Sequence, residues 1–296
     1  MVVCYNINGD NMDGIFLIDK PEHQTSFDVI RQLRKKFNIK KMGHAGTLDP
    51  FATGLLIILV GKATKLSKYL IQDNKSYETT YTFGAHTDSY DITGNLLKES
   101  SFIPNIIDIN DALNKLKTYQ QEPPMYSAIK QKGQKLVNLA RRGIEIERPK
   151  KEVHIHSYTI HSYVKPNISL TLSVSKGTYI RSIAVDLAAH LNTYAYVSKL
   201  RRIASGMYDI SDAKLIDDIH QNDLIPLDTL LKDYPKITVS PYIAEKVNHG
   251  LVMDERQYQG HGPFTVYNEQ GELIGFYEVY KNNTFKPVLI VNDETI

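Results

Sequence analysis

Residues 41–60, KMGHAGTLDPFATGLLIILV, set a single carboxylate, Asp49, in a polar loop with one histidine, His44, and three glycines, Gly43, Gly46 and Gly54. Glycine allows turns and close backbone approach that a side chain would block. Pro50 disfavours helix at Asp49 and so restricts where its carboxylate can point. A loop of this kind, backed by the apolar run LLIILV, is a rigid mount for one reactive acid, usable as a nucleophile or a general base. The same residues equally suit an aspartate that only caps a helix or closes a turn. A second candidate is KGTYIRS, residues 176–182, where a strand-like segment gives way to a helix-like one. Arg181 there can hold a carboxylate ionised and oriented, and Tyr179 can pack against a ring. An ordinary ion pair at a helix start would use the same residue types.

Two other chemistries find less support. His154, His156 and His161 fall on one strand-like segment, with His154 and His156 on a shared face. Two imidazoles so spaced can share a metal, but no cysteine or acidic cluster completes the shell, and histidines on a strand surface account for them. The glycines around Asp49 do not end in the Gly-Lys-Ser/Thr of a phosphate-binding loop, so no nucleotide cofactor is expected.

Composition narrows the class of protein. The chain has 296 residues, 42% of them hydrophobic and well spread, enough for one large domain and a small one. The single cysteine, Cys4, makes neither an internal disulfide nor a thiolate metal site. The opening MVVCYNINGDNMDG shows no basic segment followed by a long apolar run, and LLIILV is far short of the roughly 18 residues of a membrane helix. A soluble, cytoplasmic protein with no membrane partner is expected. The net charge of +2 conceals an asymmetry: residues 1–210 hold 28 Lys and Arg against 19 Asp and Glu, and residues 211–296 hold 7 against 14. A basic body points to a polyanionic partner, nucleic acid being the usual one. Nineteen tyrosines and no tryptophan suit amphipathic strand faces.

Periodicity supplies the elements that must position these residues. GIFLIDKP (14–21) predicts a short buried strand. Thr25 and Ser26 are N-caps for the helix SFDVIRQLRKKF, with Phe27, Ile30, Leu33 and Phe37 on one stripe and Arg31, Arg34 and Lys35 elsewhere. LLIILV predicts a strand covered on both faces, and KATKLSKYLI a following helix. SYETTYTFG alternates, placing Tyr77, Thr79, Tyr81 and Phe83 on one side of a strand, and HTDSYDITGN (86–95) is a turn-rich loop. NDALNKLKTY predicts a helix capped by Asn110, and QKLVNLARRG one stopped by Gly143. EVHIHSYTIHSY and NISLTLSVS predict paired strands turning near Pro166, followed by a helix through Ile183 and Leu187 and a strand at YVSKLRRIA. Beyond about residue 235 the pattern becomes short strands and turns.

With these blocks in hand, GHAGTLDPFATGLL resembles the signature loop of the TruB-type tRNA pseudouridine synthases. Similar blocks recur in that family's order: GIFLIDKP, SYETTYTFGAHTDSYDITG, PPMYSAIKQKGQKL, KGTYIRSIAVDL and KLRRIASG, covering nearly everything from 13 to about 210. His23 and Val137 depart from the pattern, where glycine and an aromatic are usual. The resemblance implies an α+β fold: a mixed, largely antiparallel sheet flanked by helices and loops over residues 13–234, and a small PUA-like β module over 235–296. It implies an isomerase that turns uridine-55 in the T stem-loop of tRNA into pseudouridine with no cofactor, as a monomer. Asp49 would be the catalytic aspartate, a nucleophile or base, paired with Arg181, which would lower its pKa. Tyr77 would stack on the target uracil and take a catalytic place where a proton must leave C5, with Tyr179, Leu200, Lys20 and Lys65 at the substrate site. His44 would fill the space left by the flipped base. Arg31, Arg34, Lys35, Lys130, Lys132, Lys135, Arg141 and Arg142 become candidates for the RNA backbone. A non-catalytic RNA-binding or tRNA-folding protein, or a synthase specific for another RNA site, would share the same fold.

Overall fold

The computed structural model describes residues 12–70, 74–131, 133–281 and 283–292; Cys4 and Lys132 lie outside them, as does the side chain of Lys135. The main body is a large sheet built from β1 (Gly14–Lys20), β2 (Met42–Ala45), β3 (Thr53–Val60), β4 (Lys75–Phe83), β5 (Thr118–Gln121), β6 (Lys151–Val164), β7 (Asn167–Val174) and β8 (Ala195–Ser205). Its order runs from the short strand Ile225–Pro226 through β1, β3, β8, β4, β7 and β6 to β5, with β2 paired to β3. Among these named strands every pairing is antiparallel except β3 with β8, which joins Arg201 to Thr53 and Arg202 to Gly54. That parallel contact lies at the exit of the glycine-bracketed loop. The sheet is therefore the mixed, largely antiparallel one expected.

Three helices of ten or more residues pack on the sheet: α1 (Ser26–Phe37), α2 (Ile106–Lys115) and α3 (Ile180–His190). Thr25 caps α1 in a reciprocal capping box with Asp28. Val29, Ile30 and Leu33 are buried, but Phe27 is not on their stripe. It sits at the helix start, exposed, with the guanidinium groups of Arg31 and Arg34 within 5.6 and 5.8 Å of its ring. The segment predicted as one helix from KATKLSKYLI winds instead as a 3₁₀ turn, Gly61–Leu66, before a single α turn, Ser67–Leu70. The helix expected to start at Asn110 starts earlier. Asn105, just past Pro104, accepts from the Asp108 N–H, so α2 buries Ile109, Ala112 and Leu113. Asn110 is left mid-helix, bonded to the Tyr158 hydroxyl.

Along α3, Ile180, Ile183, Ala184 and Leu187 join one core with alternate residues of β4 and β7, among them Tyr77, Tyr81, Ile168, Leu170 and Leu172. A second core covers the other face of β1 and β3, and Phe276 and Leu289 of the C-terminal sheet complete it. That small sheet has the order β9 (Lys236–Thr238), β10 (Phe264–Tyr267), β11 (Leu273–Val279), β12 (Phe285–Ile290), with a helix, Pro241–Asn248, lying against it. Among the described residues no helix is long and apolar enough to cross a membrane.

Candidate active site

The loop that bears Asp49 is held from beneath at several points. Gly46 and Gly54 have φ of +91° and +99°, conformations that L side chains rarely adopt. Between them the chain turns at Asp49–Ala52, where the Ala52 N–H donates to the Asp49 carbonyl at 3.1 Å. The Ser26 hydroxyl at the start of α1 bonds both the N–H and the carbonyl of Leu48. Arg202, 1% exposed, spans the two stems, its Nε donating to the Leu55 carbonyl at 2.7 Å and its Nη2 to that of Gly46 at 3.1 Å. Lys20 is wholly buried, and its ammonium donates to the carbonyls of Pro21, Gln24 and Pro50. Burial lowers the Lys20 pKa to about 8. His23, the departure from the family pattern, has φ +64° and donates its N–H to the Pro50 carbonyl, so a glycine would take this position without strain.

From this mount Asp49 meets Arg181 in a fork: Nε to Oδ2 at 2.8 Å and Nη2 to Oδ1 at 3.0 Å. The rest of the guanidinium is used as well. Nη1 donates to the Ser89 carbonyl at 2.7 Å and lies 3.5 Å from Asp91 Oδ2, and Nη2 also reaches the Tyr126 carbonyl. Four hydrogen bonds and the close approach of Asp91 thus fix the plane the guanidinium presents to Asp49. Asp91, 4% exposed, is itself locked by Ser89 and by the N–H and hydroxyl of Thr93. The Asp49 side chain remains 33% exposed, open to a cavity of about 370 Å³. His44, Asp49, Tyr77, Tyr179, Arg181 and Leu200 all line it, with Lys75 and Arg202 alongside.

The electrostatics differ from expectation in one respect. Burial raises the Asp49 pKa above its ordinary value; Arg181 and Lys20 pull it down, and the neighbouring Asp91 adds to the rise. The guanidinium therefore offsets a desolvation penalty without reversing it. Burial lowers the His44 pKa, aided by the charge of Arg202, and its Nδ1 is buried without a hydrogen-bond partner. Burial keeps the Tyr179 phenol neutral by raising its pKa.

Six of the sequence candidates thus share one cavity, from positions spread between 44 and 200. The others do not. Lys20 lies under the loop, away from the cavity lining, and Lys65 is exposed on the 3₁₀ turn. Arg31, Lys35, Lys130, Arg141 and Arg142 are exposed, whereas Arg34 is half-buried and donates to the Met42 carbonyl. The rings of His154 and His156 stack 6.2 Å apart, and no group of metal-ligating side chains occurs among the described residues. Asp91, Ser26 and Arg202 were missed. The alternating short polar residues Ser89, Asp91 and Thr93 were a signal of a locked turn, though not of contact with Arg181.

The model of the TruB family pseudouridylate synthases (N terminal domain) matches residues 34–180. The tRNA pseudouridine synthase B of Acholeplasma laidlawii (strain PG-8A) is 44% identical over 276 residues, covering 93% of this chain and 98% of that protein. The protein of the same name from Aster yellows witches'-broom phytoplasma (strain AYWB) is 39% identical over 279 residues, covering 93% and 99%. Among solved structures, a Cbf5-Nop10-Gar1 complex superposes with a TM-score of 0.68 at 20% identity, over 92% of this chain and 80% of that one, a likeness of fold. With relatives this similar end to end and the family's pattern across its centre, the chain belongs to the TruB family of pseudouridylate synthases.

Proposed function

We propose that this chain converts uridine-55 in the T loop of tRNA to pseudouridine, as a monomer and without a cofactor. The observation that carries the proposal is the Asp49 carboxylate, gripped by Arg181 yet open to a cavity walled by Tyr77, Tyr179 and Leu200. Relatives named tRNA pseudouridine synthase B, similar along nearly their whole length, support tRNA as the substrate. Isomerisation breaks the bond from ribose C1′ to uracil N1, turns the base and joins C1′ to C5, with a proton lost from C5 and one gained at N1. Nothing is oxidised and no outside atom enters, so the chemistry calls for no redox group.

A uridine in a folded loop is out of reach and must be flipped into the cavity, at roughly a few kcal/mol. Tyr77 stacks on the flipped uracil, Tyr179 and Leu200 close the pocket around it, and His44, kept neutral, takes the space the base leaves. Asp49, ionised beside Arg181, either adds to the substrate or removes a sugar proton. Residues 13–234 carry this chemistry, and 235–296 form a PUA-like module beside it.

Mapping pseudouridine in an unmodified tRNA transcript after incubation with the purified chain tests the proposal. Product is expected at position 55 and absent from a transcript carrying cytidine there. Asp49→Asn is expected to form no product while binding tRNA within about threefold of wild type, because the variant keeps the shape of the site. Turnover by Asp49→Asn would overturn it.

A further inference from the structure

We infer that Gln121 is a positioning residue for the base pocket: its side-chain amide clamps both backbone groups of Tyr179 and so sets the direction of the ring that lines the cavity. The inference rests on the pseudouridine-synthase reading of that cavity.

Gln121 ends β5, far from Asp49 in sequence, and is 2% exposed. Its Oε1 accepts the Tyr179 N–H at 2.8 Å, and its Nε2 donates to the Tyr179 carbonyl at 3.1 Å. Nε2 also donates to the Tyr119 hydroxyl at 2.7 Å. That last bond dictates which way the amide faces. Tyr119 gives its only hydroxyl proton to Asp186 Oδ2 at 2.8 Å, so its oxygen turns a lone pair toward Gln121 and requires a donor there. With Nε2 committed to that side, Oε1 is left for the Tyr179 N–H. Orientation thus passes from a carboxylate on α3 through a phenol on β5 to the peptide of Tyr179.

Tyr179 needs such a hold. It is the N-cap of α3, with φ −97° and ψ +111°, and no side chain caps the helix in the usual way. Fixing its N–H and its carbonyl together fixes the Cα–Cβ direction, and with it the arc the ring can sweep. Arg181 follows two residues later on the same helical turn. A neighbouring bond, from the Ser182 hydroxyl to the Glu122 carbonyl at 2.8 Å, joins the same two segments without touching Tyr179.

The test is single-turnover pseudouridine formation beside tRNA affinity and melting temperature. Gln121→Met keeps the length and removes every bond. Its rate is expected to fall about 10- to 100-fold, as for ring misplacement near 1 Å, with tRNA affinity within about threefold. Ser182→Ala is expected to lose less than about threefold in rate; an equal loss in both variants would mean general loosening of the junction and overturn the inference. In a Tyr179→Ala background the Gln121→Met effect is expected to shrink below about threefold, because the two act as one unit. Fully additive losses would overturn it too. Should Gln121→Met not fold, Tyr119→Phe, which unlocks the amide, is expected to lose about 3- to 10-fold in rate, and an unchanged rate would count against the clamp. Wild type run in parallel separates the two levels: no pseudouridine from wild type removes the functional proposal, whereas active wild type with an equally active Gln121→Met removes only this one.

Discussion

A carboxylate that must be ionised to react has been placed where burial opposes its charge. Since the Asp49 pKa is raised, the acid limb of the pH–rate profile is expected above the ordinary aspartate value of about 3.9, with activity falling as pH drops through it. Removing the opposing cation should raise that pKa further. Arg181→Met is therefore expected to move the limb to higher pH and to lower the plateau rate, read from single-turnover rates between pH 4 and 8. A limb that stays in place would mean Arg181 does not govern the charge. Lys20 sets the other end. Its pKa of about 8 means that the ammonium loses a proton above that pH, leaving a neutral amine with two donors for three carbonyls. Activity is expected to decline from near pH 8 in wild type, and Lys20→Met to give a lower rate without that decline. Asp49, Arg181 and the pocket tyrosines were legible because their residue types announce chemistry and their blocks recur in one family. Asp91 and Gln121 were not, because each acts on a partner that only the fold brings near: Arg181 across 90 positions, and a backbone that has no sequence signature.

At the scale of elements, the loop works because β3 and β8 run parallel for two pairs and bring Arg202 beneath Gly54. A Cβ on Gly54 would stand 2.3 Å from the Arg202 carbonyl oxygen, on a backbone already at φ +99°. Strain and overpacking each cost roughly 1–3 kcal/mol, so Gly54→Ala is expected to lose about 2–6 kcal/mol in urea unfolding, together with most activity. For comparison, Thr25→Ala removes the cap of α1 and should cost about 1 kcal/mol. A Gly54→Ala loss no larger than the cap's would show that β8 can give way. Strands with strict alternation, such as β4, were readable because both neighbours leave one face apolar. The start of α2 was not, since Asn105 and Asn110 are equal candidates for a cap until Ile109 and Leu113 are seen to face the core. Phe27 misled for a related reason: an aromatic at a helix start reads as core, yet here it is a platform for two arginines.

Across the whole molecule, the split in charge was plain in the sequence, but what becomes of the acidic end was not. Several of its carboxylates are engaged within the protein. Glu278 meets Lys68 and Lys286 and accepts from Tyr69, Asp223 pairs with Lys214, Asp254 with Arg256, and Asp228 accepts from Tyr267. The C-terminal sheet is fastened to the body through Glu278 with Lys68 and Tyr69, through Tyr267 with Asp228, and through Phe276 packed edge-on against Tyr69 and Tyr234. On the basic body, by contrast, Lys35, Lys130, Arg141 and Arg142 are exposed. If about five phosphates are neutralised, the logarithm of tRNA affinity should fall with the logarithm of salt at a slope of about −4. Between 50 and 200 mM salt that is a loss of roughly two orders of magnitude, measurable by filter binding. Replacing Arg141 and Arg142 together by alanine is expected to flatten the slope by about one to two and to leave the rate at saturating tRNA within about threefold, since neither residue lines the cavity. An unchanged slope would place the RNA backbone on another face. A reduced rate at saturation would mean that these arginines help seat the uridine as well as hold the strand.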